Sequence, residues 1–328
     1  MPRRSAGPPK PRKIPNVKNI IAVSSAKGGV GKSTVAGKRN EGLLGCRRSC
    51  VLTLLRRREQ VNVALSMAMK TLPQTGRAAR VGLLDLDIFG PSVPILMGLA
   101  GQGEPDLSAG GALLPLHNHG MPCMSMGFLL PAPKEGEEDS VASSAPVVWR
   151  GLMVMKAVQQ LLFDVDWSGD AGTGLDALVI DMPPGTGDVA LTLSQLVKVD
   201  GAIVVSTPQD VALADSRKGV SMFAKVHVPI LGMVLNMAHF TAPDTGKRYP
   251  LFGSPQAFDA FAARNQIPVL GRVPLEPIIS AGGDAGRPIV LSGAHEGQAG
   301  MESASTFKQI GASVWEDLWR RQDASADG

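Results

Sequence analysis

Residues 26–34 read Ala-Lys-Gly-Gly-Val-Gly-Lys-Ser-Thr and follow directly on the apolar run Asn19–Ser24. A β-branched run emptying into three glycines and a lysine leaves few ways to fold. The run predicts a buried strand, and the next residues should turn sharply and open a helix. Gly28, Gly29 and Gly31 let backbone N–H groups turn inward around an anion. The start of the helix adds partial positive charge. In such a cradle Lys32 reaches the β- and γ-phosphates and the Ser33 hydroxyl ligates Mg²⁺. The candidate contacts to ATP and Mg²⁺ are therefore Ala26, Lys27, Gly28, Gly29, Val30, Gly31, Lys32, Ser33 and Thr34. The usual pattern begins with glycine where this chain has Ala26.

Similar apolar runs recur at Val81–Leu86, Ala177–Ile180, Ala202–Ser206, Ile230–Leu235 and Val269–Val273. Helical patterns fall between them at Gly151–Phe163, Val189–Val197, Ser216–Val226 and Pro255–Asn265. This alternation predicts an α/β fold with a doubly wound, mainly parallel sheet. Residues 101–145 break the rhythm with a predicted strand pair, Leu113–Leu116 and Met121–Met126, and then an acidic loop. Residues 281–300 read as irregular and Thr306–Arg321 as a C-terminal helix. The division expected is a basic disordered tail at 1–17, one domain over 18–321 with a flexible loop at 131–146, and a tail at 322–328.

Composition narrows the function. Hydrophobic residues are 44% and charged residues 19%, enough for a large core. No apolar run reaches the ~18 residues of a membrane span, so stable membrane insertion is not expected. Aromatics are 4%, too few for stacking along single strands. The net charge of +4 misleads, because residues 1–19 carry +6 and residues 37–60 carry +5, leaving −7 elsewhere. An acidic body argues against a nucleic-acid partner. The basic, acid-free start suits the end of a mitochondrial presequence as well as a solvated tail.

Two carboxylate sites support the phosphate cradle. Asp85-Leu86-Asp87 ends one predicted strand, and Asp181 ends another before Met182-Pro183-Pro184-Gly185. Strand C-termini face the ligand in such sheets, where Asp181 can hold a Mg²⁺-bound water and the Gly185 N–H can meet a γ-phosphate. Alone, each Asp also reads as a helix N-cap.

Lys27 resembles the second lysine of the deviant Walker A (SIMIBI-type) ATPases. The resemblance implies that it crosses a homodimer interface to the partner's nucleotide, whereas alone it reads as an exposed loop lysine. It also gives Asp87 the attacking water or Mg²⁺. The catalytic set implied is Lys27, Lys32, Asp87 and Asp181. From about Asn16 to Ile289, residues 37–60 excluded, the chain resembles the Mrp/ApbC (NUBPL-like) family of iron–sulfur ATPases. Val147–Met155, Cys123–Phe128 and Thr207–Asp210 carry the likeness, the first two pointing to the mitochondrial branch that serves respiratory complex I. The family implies slow ATP hydrolysis, apo iron–sulfur client proteins, the mitochondrial matrix (with the cytoplasm as the other option), and adenine contact by Asn236. Asn236 otherwise reads as a strand-end turn residue.

Two departures stand out. The family's Cys-x-x-Cys, which holds a [4Fe–4S] cluster across the dimer, is replaced by Ala242 and Thr245. Asp244 and His239 read as turn residues rather than ligands, and Cys123 as a core thiol. This opens a second reading, a cluster-free switch or chaperone paired with a Cys-bearing homologue; a DNA- or membrane-positioning ATPase is a third. The other departure is Gly37–Gln60, which separates Val35-Ala36 from Val61-Asn62-Val63-Ala64-Leu65. It reads as a retained intron or a looped-out insertion. Unless it continues the helix, it cuts the phosphate-loop helix to about one turn.

Overall fold

The structure, a computed structural model, describes residues 11–25, 58–87, 90–129, 151–169, 172–183, 188–292 and 300–326. The loop at 26–34, Gly185 and most of the 37–60 segment lie outside the described residues.

The predicted first strand, β1 (Val17–Ser25), runs through the middle of an eight-stranded sheet. The other nine strands are β2 (Val81–Asp85), β3 (Leu116–Asn118), β4 (Met121–Ser125), β5 (Leu175–Asp181), β6 (Gly201–Ser206), β7 (Ile230–Leu235), β8 (Phe240–Thr241), β9 (Arg248–Tyr249) and β10 (Val269–Arg272). The order is β10-β7-β6-β1-β5-β2-β4-β3, with only the β3–β4 pair antiparallel. β5 and β6 are buried at every residue, which is why their sequences run apolar without alternation.

Helices cover the sheet: α1 (Arg58–Ala68), α2 (Val93–Leu96), α3 (Gly151–Phe163), α4 (Asp188–Leu196), α5 (Asp210–Lys225), α6 (Gln256–Arg264), α7 (Pro277–Asp284), α8 (Ile289–Ser292) and α9 (Met301–Ala326). α9 buries Phe307, Ile310, Val314 and Leu318, as its periodicity predicts. It crosses α1 at Gly311, where an added Cβ would stand 2.8 Å from Ser66 Cβ. The Trp315 indole N–H donates to the Met67 carbonyl at 3.0 Å beside that crossing.

At the N-terminal end of the strands Asp176 is the knot. Its carboxylate accepts from Lys18 (3.0 Å), from both Arg77 Nη atoms (2.8 and 3.0 Å) and from the Arg80 N–H (2.9 Å). Burial pushes its pKa up, but these donors outweigh that and hold it below the usual carboxylate range.

Several boundaries differ from the sequence expectation. The strand expected at Leu113–Leu116 forms at Leu116–Asn118, because Leu113 bridges Leu107 and Val165 instead. Met126 leaves β4 to begin a 3₁₀ turn, Met126–Leu129. α5 starts at Asp210, six residues before Ser216, with an acid in its first turn to suit the dipole. Residues 277–292, half read as irregular, form α7 and α8. α9 runs past Arg321 to Ala326 and anchors through Gln322 on Asn19 at 2.8 Å. The segment read as a basic tail is docked from Arg12 onward. Arg12 N–H donates to the Leu196 carbonyl at 2.7 Å, its guanidinium lies over Phe163, and Ile14 is buried.

Candidate functional site

β1 delivers its last residue, Ser25, between β5 and β6, so the glycine-rich segment leaves the sheet from its centre. Around that exit stand the ends of β2, β5 and β7. Asp181 is paired in register with Val23 on one side and Asp85 on the other. The Leu86 N–H reaches across to the Asp181 carbonyl at 3.0 Å, which ties the Asp85–Asp87 segment to β5. Asp85, Asp87 and Asp181 are all buried. The structure thus brings together three of the carboxylates that the sequence singled out.

Asp85 organises this end. Oδ1 accepts from the Asp87 N–H at 2.9 Å, and Oδ2 accepts from the N–H groups of Ser92 (3.0 Å) and Val93 (3.2 Å) and from the Ser125 hydroxyl (3.1 Å). Burial raises its pKa to about 6, against the lowering effect of those donors, with Asp87 adding repulsion. Asp85 therefore sets the course of the backbone that carries Asp87. Ser125 is a functional neighbour that sequence reasoning missed, because it comes from the next strand with no local signal.

Asn236 also lies at this end, buried just past β7. Its amide donates to Glu59 Oε1, and its Oδ1 accepts from the Met237 N–H at 2.8 Å. Glu59 belongs to the 37–60 segment. Arg58, Glu59 and Gln60 form the first residues of α1, so the end of the segment runs helically into Val61–Leu65. The fit is imperfect: Gln60 is fully buried and neither of its amide atoms has a partner. An unanswered buried amide costs about 1–3 kcal/mol.

Hard oxygen donors at strand ends suit Mg²⁺, which takes one or two carboxylates and completes its shell with phosphate and water. Asp181 and Asp87 fit that habit. Among the described residues no group of three or more His, Cys, Asp or Glu forms a metal cage.

The iron–sulfur expectation meets a different geometry. β8 and β9 form a hairpin whose turn holds Ala242, Pro243, Asp244 and Thr245. The turn closes on itself: Ala242 N–H donates to the Lys247 carbonyl at 2.9 Å and Gly246 N–H to the Ala242 carbonyl at 2.8 Å. Ala242 offers no ligand, and a threonine hydroxyl is a poor donor to iron–sulfur iron. His239 and Arg248 instead meet Glu302, at 3.4 and 2.9 Å, and tie the hairpin to α9. Cys123 is buried in β4, and burial pushes its thiol far up. These residues do not fit a cluster.

Comparison with known proteins matches residues 59–314 to the ParA family, described as NUBPL iron-transfer P-loop NTPase. The chain belongs to this family. The matched span of the NUBPL iron-transfer P-loop NTPases holds Asp85, Asp87, Asp181, Asn236 and the hairpin, and it begins where the 37–60 segment ends. Among named relatives, the iron–sulfur cluster transfer protein NUBPL of Mus musculus is 42% identical over 310 residues, covering 94% of this chain and 81% of the relative. The iron–sulfur protein required for NADH dehydrogenase, mitochondrial, of Arabidopsis thaliana is 42% identical over 280 residues, covering 85% and 74%. Among solved structures, the nucleotide-binding protein from Archaeoglobus fulgidus in complex with ADP is 31% identical with a TM-score of 0.57, covering 83% of this chain and 88% of that one.

Proposed function

We propose that this chain is an ATP-dependent iron–sulfur cluster transfer factor of mitochondria. The observation that carries the reading is the set of buried carboxylates at the ends of β2 and β5, gathered around the exit of β1. The names of the relatives and the ADP in the Archaeoglobus protein support it. In this reading the glycine cradle holds ATP, with Lys32 on the β- and γ-phosphates. Ser33 and, through water, Asp181 hold Mg²⁺, which neutralises charge on the phosphates. Asp87 orients the attacking water, and Asp85 fixes the backbone on which Asp87 sits. The Gly185 N–H meets the γ-phosphate. Lys27 reaches the nucleotide of a second copy, so that ATP closes a homodimer and hydrolysis reopens it. Asn236 turns to adenine only when Glu59 releases it. The clients are apo iron–sulfur proteins of the matrix, respiratory complex I among them.

The test is ATP turnover by the purified chain. Lys32→Ala is expected to abolish it without shifting the urea midpoint; undiminished turnover would overturn the reading. Removing residues 37–60 is expected to raise ATP affinity and the melting temperature, since it takes out Glu59 and the unanswered Gln60. Equal or better behaviour of the full chain refutes that part.

The self-closed hairpin favours a second reading, an ATPase switch that holds no cluster and pairs with a Cys-bearing homologue. Anaerobic reconstitution separates the two. Iron retained with visible cluster absorption selects the carrier; none, with intact ATP turnover, selects the switch.

A further inference from the structure

The opposite end of the sheet holds a cavity of about 510 Å³ that the ATPase reading does not use. It opens beside the starts of β2, β4 and β5, at Val81, Pro122 and Leu175. β5 alone, seven residues long, puts it roughly 20 Å from Asp181. Leu65, Met69, Leu175 and Leu291 give it apolar walls. Its polar groups are unevenly matched. Arg80 donates through Nη2 to the Ser168 carbonyl at 3.1 Å and makes no ion pair among the described residues. His117, exposed, and His119, whose Nε2 lies 2.8 Å from the Gly286 carbonyl, stand at the rim. Trp167, a buried wall residue, has an indole N–H with no acceptor. Asp166, the carboxylate among the described lining residues, already accepts from the Ser168 N–H at 2.9 Å. Among the described residues the lining thus sets one guanidinium above an apolar floor, in the size range of small-ligand sites.

We propose that this cavity binds a small amphipathic carboxylate, with its oxygens on Arg80 and its apolar part along Leu65, Met69 and Leu175. A guanidinium with no acid partner among the described residues suits a carboxylate in particular. The ligand is either a free acid or the C-terminus of a peptide with an apolar last residue. The proposal stands independently of the nucleotide site.

The test titrates the ¹⁵N-labelled full chain with octanoate, octanol, and a tetrapeptide Ala-Ala-Ala-Leu with a free or an amidated C-terminus. The Trp167 indole cross-peak, assigned through Trp167→Phe, is the readout. Saturable shifts are expected, at least tenfold tighter for a carboxylate than for its neutral counterpart, and Arg80→Gln should shrink that preference to within twofold. His117→Asn, at the exposed rim, should weaken carboxylate binding should Arg80→Gln fail to fold. Tighter peptide binding assigns the site to a protein C-terminus, and tighter octanoate binding to a free acid. An unmoved Trp167 peak, or equal affinity for octanoate and octanol, overturns the proposal.

Discussion

The two ends of the parallel strands solve the problem of a buried carboxylate in opposite ways. At the C-terminal end, Asp85 is surrounded by neutral donors, three backbone N–H groups and one hydroxyl, with Asp87 nearby. Its pKa rises to about 6. At the N-terminal end, Asp176 is held by two cations and a backbone N–H, and its pKa falls. At Asp85 the neutral donors do not offset the desolvation of the charge, while at Asp176 the arginine, lysine and backbone donors do. At one end neutral donors surround Asp85 and its pKa rises; at the other, cations neutralise Asp176 and its pKa falls.

The comparison breaks most visibly with Asp85→Ala. It strands four donors in the core and should cost about 3–5 kcal/mol in urea unfolding. The loss should reach ATP turnover too, because Asp87 loses its anchor. Next come the pH profiles, whose signs differ. Between pH ~4 and about 6 the folded chain keeps a proton on Asp85 that the unfolded chain has released, so this residue makes stability fall as pH rises, by up to ~3 kcal/mol. Asp176 contributes stability that is present above pH ~4 and lost as pH falls below it. Subtracting the Asp176→Asn profile from the native one should show that loss; at neutral pH the variant should cost about 1–3 kcal/mol. The smallest effect is Ser125→Ala. It removes one donor from Asp85 and should cost about 1 kcal/mol while pushing that pKa higher.

The sheet was legible because its central strands are continuous apolar runs buried on both faces, two of which, β2 and β5, end in aspartate. Asp85, Asp87 and Asp181 were legible for the same reason: each closes such a run. The short elements were not. β8 and β9 are two residues each, and α8 is four, below any period that a pattern can show. The partners of the site residues were hidden too. Ser125 reaches Asp85 across 40 positions and Glu59 reaches Asn236 across 177, distances over which only the fold brings side chains together. The docking of the tail from Arg12 was hidden because proline and positive charge concealed Ile14, which is buried along with Val17.

The hairpin turn between Ala242 and Lys247 has a practical consequence. A turn latched by its own backbone takes its shape without iron, so dioxygen finds no bound iron there whose loss would undo it. This hairpin should therefore tolerate handling in air, where a thiolate-bridged counterpart would lose both its cargo and its form.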